Sequence, residues 1–189
     1  MLDALYQRIE DKREDLIALT QDLVRIPTLN PPGEYYDDCC HYIGDRLAKR
    51  GFQTEYFRAL GTPGDTDQYP RMNIVARKAS NSGPCVHFNS HIDVVKVGYG
   101  WQQDPFQAEL VGDRIYGRGS CDMKGGLAAS IIAIEAYLEL NPDHPGAIEI
   151  SGTADEETGG YGGVAWLAEQ GIMAVPRIDH VIIPEPLNK

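Results

Sequence analysis

Short apolar runs alternate with segments of helical period along most of the chain, and this alternation constrains the fold more than any other feature. Strand-like runs fall at 54–58, 72–77, 85–89, 147–151 and 181–183. Helical spacing links Leu16, Leu19 and Leu23 up to Pro27, and then Tyr36, Cys40, Ile43 and Leu47 up to Gly51. It returns over 124–139, where Leu127, Ile131, Ile134 and Leu138 are interleaved with alanines, and over 162–170. The 124–139 helix is apolar around much of its circumference, which predicts a central position. Strands followed by helices predict an α/β fold, a largely parallel mixed sheet with helices on both faces. Phe106, Ala108 and Leu110 alternate with polar neighbours up to Gly112-Asp113, which predicts a hairpin continuing through Ile115 and Tyr116.

At 189 residues the chain can bury one core, and one domain is expected. The 28 acidic and 17 basic side chains leave a net charge of −11, which argues against a nucleic-acid partner. No apolar run is long enough to span a bilayer, and the first fifteen residues are charged and helix-like rather than a signal peptide. A soluble, cytoplasmic protein with no membrane partner is expected. Cys39, Cys40, Cys85 and Cys121 are read as reduced and mostly buried.

His91, Asp122, Glu156, Glu157 and Glu185 each stand just past a predicted strand or just before a predicted helix. In open α/β sheets such loops converge outside the carboxyl ends of the strands, so residues distant in sequence can meet there. In Asn89-Ser90-His91-Ile92-Asp93, His91 and Asp93 project to one side of an extended backbone. This suits an imidazole that binds a cation through one nitrogen while an acceptor holds the other. Alone, the pair is equally a structural histidine or a strand-end ion pair. The segment 117–126 packs four glycines around Asp122; it reads as a site where backbone approaches a bound group, or as a tight connection with Asp122 capping a helix. Asp155, Glu156 and Glu157 are consecutive acids in a glycine-bounded turn, costly unless a cation or a proton relieves them, although a solvated acidic loop would look the same. Glu185 is set between Pro184 and Pro186, which aims it reproducibly. His41, His87, His144 and His180 lack comparable company.

Together and in order, "SHIDVV", "GRGSCDMKGG", "TADEETGG" and "IIPEP" resemble peptidase family M20, the aminoacylase and carboxypeptidase family of co-catalytic zinc enzymes that includes acetylornithine deacetylase, succinyl-diaminopimelate desuccinylase and glutamate carboxypeptidase. The resemblance implies that His91 and Glu185 ligate a first zinc, that Asp122 bridges two, and that Glu157 ligates the second. It makes Asp93 the residue that orients His91, and Glu156 the general base. It also implies a cis peptide bond between Asp122 and Met123. The expected cofactor is Zn2+, two ions per complete site with Co2+ or Mn2+ as substitutes, and the expected reaction is hydrolysis of an N-acyl amino acid or small peptide.

Family members continue past the position of Glu185 into a lid or dimerisation domain, then complete the catalytic domain with a further histidine ligand. Residues 1–189 therefore correspond to the N-terminal portion of such a catalytic domain. Impaired hydrolysis, about one tight zinc equivalent and self-association are expected of this segment. Two other readings stay open at this point: a non-catalytic metal-binding or interaction module, and a nucleotide-binding domain. The second lacks any phosphate-loop spacing.

Overall fold

The computed structural model describes residues 2–186; Met1 and residues 187–189 lie outside that description. Helices α1 (Leu2–Asp11), α2 (Arg13–Arg25) and α3 (Tyr36–Ala48) lead into strands β1 (Gln53–Arg58), β2 (Met72–Ala79) and β3 (Asn81–His91). A short hairpin, β4 (Glu109–Val111) and β5 (Arg114–Tyr116), precedes the long helix α4 (Lys124–Leu140). Strand β6 (Pro145–Thr153), one turn of 3-10 helix at Glu156–Thr158, helix α5 (Val164–Glu169) and strand β7 (His180–Ile182) complete the order.

The five-stranded sheet runs β1-β2-β6-β3-β7. It is mixed in equal parts: β6 and β7 flank β3 in parallel, whereas β1 with β2 and β2 with β6 are antiparallel. One face carries Ile74, Ala76, Ile148 and Ile150, which join Leu19 and Leu23 of α2, Ile43 and Leu47 of α3, and Leu127 and Ile131 of α4 in one core. A fully buried aliphatic side chain of this kind is worth about 1.5–3 kcal/mol. The buried Glu135 of α4 receives Arg46 and Arg50 from the end of α3, clamping the two helices together.

The opposite face is polar. Glu149 there pairs with Arg77, Arg177 and His87, and the other nitrogen of His87 meets Ser151 at 2.9 Å. Thus His87, which shows no partner in its local sequence, is fully buried between two residues of the neighbouring strand. Segment 162–178, containing α5, covers this face: the Asn73 side chain donates to the Gly162 carbonyl at 2.9 Å, and Met173 and Ile178 pack on Cys85 and Ala147. Helices therefore lie on both faces, and the connections after β3 and β6 leave on opposite sides. The carboxyl ends of β3 and β6 lie where these connections diverge, the place at which open α/β sheets bind ligands.

Several elements differ from the sequence reading. The N-terminal helical segment is two helices broken at Lys12. The hairpin begins only at Glu109, because Ala108 has φ +55° and cannot continue a strand. Cys121 is exposed, whereas Cys39, Cys40 and Cys85 are buried. No described helix is long and apolar enough to cross a membrane.

Candidate metal centre

His91 is the last residue of β3, held by the neighbouring β6 through register with Thr153. Its ring is buried, and Nδ1 lies 2.9 Å from the backbone carbonyl of Asp93. A carbonyl can only accept, so Nδ1 carries a proton, and Nε2 faces Asp122. The contact that orients the ring is thus the Asp93 carbonyl, with the carboxylate further off at 3.5 Å.

Around Nε2 the loops bring in carboxylates from three further segments. Asp122 Oδ1 stands at 3.0 Å, Glu185 Oε1 at 3.6 Å and Glu156 Oε2 at 3.9 Å. Ligand atoms of His91, Asp122 and Glu185 all lie within 4.8 Å of one another, and so do those of His91, Glu156 and Glu157. The four carboxylates singled out from sequence thus gather around the His91 ring.

Each arm of this cluster has a local cause. Asp122 precedes α4 in the glycine-rich loop, where the Asp122–Met123 peptide is cis; Met123 is buried, and its sulfur accepts the His91 amide at 3.2 Å. The N-cap of α4 is Met123, with no side-chain cap, so Asp122 is not spent on capping. Lys124 is fully buried and donates to the carbonyls of Leu23 and Ile26, which closes the end of α2 over the start of α4. Gly126, in the first turn of α4, lets the backbone of Pro184 approach and so sets Glu185 against His91.

Asp93 has a second task that the His-x-Asp pattern does not announce. Its buried carboxylate accepts the backbone amides of both Glu156 and Glu157 at 3.1 Å, and the side-chain amide of Asn30 at 2.7 Å. Two consecutive amides on one carboxylate fix the direction in which the two glutamates leave the turn. Asn30 and Arg71 support that turn together with Asp155, and the sequence marks only Asp155, as one of three consecutive acids. Asn30 falls in the turn Asn30-Pro31-Pro32-Gly33 and Arg71 directly before β2, and no local pattern there reports a partner that lies far along the chain.

The electrostatics are those of an uncompensated anionic pocket. Among the described residues no lysine or arginine pairs with Asp122, Glu156, Glu157 or Glu185. Burial, and next the hydrogen bond with Asp122, lift Glu185 to about 7. Burial and the charge of Asp122 also raise Glu157. Burial disfavours the His91 imidazolium, but hydrogen bonds to Asp93 and Asp122 outweigh it and raise the ring to about 9. One imidazole and four carboxylates that repel one another are the donor set of a hard or borderline divalent cation, with oxygen donors in excess. The carboxylates of Asp122 and Glu156 are 54% exposed, so the pocket is open to solvent on one side.

An α/β sheet with a carboxylate-rich pocket at the ends of its strands is the class of structure that this chain presents. Within that class, residues 87–189, more than half the chain, match the model of peptidase family M20/M25/M40, and the chain belongs to that family. Its fold is similar to that of human carnosine dipeptidase 1 (TM-score 0.83, 23% identity), over the whole of this chain and 42% of that one. It is also similar to the dipeptidase Dug1p of Saccharomyces cerevisiae (TM-score 0.80, 20% identity, 97% of this chain and 40% of that one). A third likeness is to the Bacillus subtilis YxeP protein, a dinuclear metal-binding peptidase of the M20 family (TM-score 0.62, 16% identity, 92% and 43%). The chain thus spans about two fifths of the length of these proteins.

Proposed function

We propose that residues 1–189 form the N-terminal portion of the catalytic domain of a metal-dependent hydrolase that cleaves the amide bond of an N-acyl amino acid or a small peptide. The observation that carries this reading is the convergence of His91, Asp122, Glu156, Glu157 and Glu185 on one pocket in a chain of this family. His91, Asp122 and Glu185 would hold one ion, and Asp122 with Glu157 would contribute to a second. Zinc is the metal we assign, with cobalt or manganese as substitutes. When bound, such ions lower the pKa of coordinated water toward about 7 and polarise a carbonyl.

The protein's own residues then have distinct tasks. Nδ1 of His91 keeps its proton on the Asp93 carbonyl, so Nε2 is the nitrogen that would give up its proton and be offered to an ion. Glu156, beside the His91–Asp122–Glu185 group, takes the proton of the attacking water and returns it to the departing amine; general acid–base transfer of this kind contributes about 10²–10⁴-fold. The open side of the pocket admits the acyl and amino-acid portions of the substrate.

Metal titration followed by an amide-hydrolysis assay tests the reading. Zinc is expected to bind tightly at about one equivalent, and His91→Ala to abolish that binding. Chelator-reversible release of free amino acid from N-acetyl amino acids or dipeptides is expected to vanish in Glu156→Gln. Tight metal uptake with no hydrolysis of either substrate class, in this segment or in a longer protein containing it, would favour a non-catalytic metal-binding module instead.

A further inference from the structure

Outside the pocket, the most elaborately built polar feature is the surroundings of Arg71. Its side chain is 5% exposed, and Nε sits 2.8 Å from Asp155 Oδ1 and 3.0 Å from Oδ2. Nη1 donates to the Pro32 carbonyl at 2.5 Å and more weakly to that of Tyr69, and the guanidinium lies 5.5 Å from the centre of the Tyr36 ring. Space for it is made by glycines from three separate segments. A Cβ on Gly33 would stand 1.9 Å from Nη1, one on Gly64 2.2 Å from Nη2, and one on Gly162 2.7 Å from Cγ. A planar fork with fixed donor directions uses such a cradle fully; a lysine would not.

What the cradle delivers is the conformation of Asp155. This residue has φ +64°, a left-handed conformation disfavoured for a residue with a Cβ, and it begins the turn carrying Glu156 and Glu157. Its carbonyl accepts the amides of Thr158 and Gly160. Its carboxylate, besides Arg71, receives Tyr36 Oη at 3.4 Å and Asn30 Nδ2 at 3.3 Å. Asn30 in turn donates to Asp93 and to Thr158 Oγ1. The links run without interruption from Arg71 through Asp155 and Asn30 to Asp93, and end on the amides of the two glutamates.

We propose that Arg71 is a positioning residue for the pocket: by pinning Asp155 in its left-handed turn it holds the amides of Glu156 and Glu157 on Asp93 and so sets where both carboxylates point. This rests on the proposed roles of those glutamates, but its structural part does not depend on them. Arg71→Met alone would strand Asp155 as a buried, unpaired carboxylate and could fail to fold. The decisive variant is therefore Arg71→Met/Asp155→Asn, which removes both charges and keeps a residue tolerant of the left-handed turn, with Arg71→Lys beside it.

The experiment is amide hydrogen exchange on the metal-free chain, followed by cobalt(II) titration read by visible absorption. In the double variant the Glu156 and Glu157 amides are expected to lose about tenfold or more of their protection while the central β6 amides keep theirs. Cobalt affinity should fall about 10–100-fold. Arg71→Lys should fall between the double variant and the parent. Unchanged protection in the turn, or equal loss in the turn and in β6, would overturn the proposal. The expected exchange pattern in a chain that takes up no cobalt even as the parent would leave Arg71 its role and refute the metal reading instead.

Discussion

Gly126 of α4 faces Pro184 so closely that a Cβ added to the glycine would stand 2.4 Å from the Pro184 carbonyl oxygen. That oxygen is backbone, so the strain cannot be relieved by a side-chain rotation. Gly126→Ala is expected to push Pro184 and Glu185 away from His91 while slightly favouring the helix itself. Zinc affinity should drop by about tenfold or more with the far-UV circular dichroism unchanged. Calorimetric titration beside the parent checks this; unaltered affinity would mean that Glu185 is placed by something else.

Asp93→Asn tests the amide pair on the Asp93 carboxylate. An asparagine offers one acceptor and one NH2 group where two backbone N–H donors arrive, so one of the Glu156 and Glu157 amides must lose its partner. The expected result is a 10–100-fold loss of metal affinity. The His91 amide and ring contacts to Met123 and to the Asp93 carbonyl should persist, which His91 chemical shifts would report.

Acid sensitivity should trace to Glu149 on the polar face of the sheet. Burial would raise its pKa, but hydrogen bonds from His87 and Arg77 and the charge of Arg177 hold it at about 2, below its ordinary 4.5. A carboxylate with a depressed folded-state pKa stabilises the fold above its unfolded value and loses that contribution as pH falls through the folded one. Between about pH 4.5 and 2 the parent should lose about 3 kcal/mol from this group. Glu149→Gln should be less stable at pH 7 by a similar amount and show a flatter acid limb in denaturant titrations.

Thiol chemistry offers a compact check on the loop before Asp122. Cys39, Cys40 and Cys85 are buried, and burial raises the Cys39 thiol to about 11 and lifts the other two above their ordinary value. Cys121 is exposed. Under native conditions a disulfide-exchange reagent should label one thiol per chain rapidly, and peptide mapping should find it at Cys121.

The large features were legible because they repeat along the chain. The period of Leu127, Ile131 and Ile134 marks the central helix, and placement at strand ends marks His91, Glu156, Glu157 and Glu185 as candidate neighbours. What escaped were pairings without local pattern. The break at Lys12 interrupts a run whose periodicity reads through it. The equal mix of parallel and antiparallel strands depends on how β2 finds β6, which β2's own residues do not encode. Arg71, Asn30 and Asp155 form a chain of contacts between turns that are each unremarkable, and His87 meets Glu149 only because β3 and β6 pair in that register. The role given to Asp93 from sequence describes its carbonyl better than its carboxylate, since spacing locates a residue but not which of its oxygens arrives.

The most direct measurement is X-ray absorption on the chain loaded with zinc. Coordination by one imidazole nitrogen and carboxylate oxygens at about 2.0–2.2 Å, lost in His91→Ala, is the expected result. A sulfur shell at about 2.3 Å, drawn from Cys121 or another thiol, or a metal environment indifferent to His91, would contradict the pocket described above.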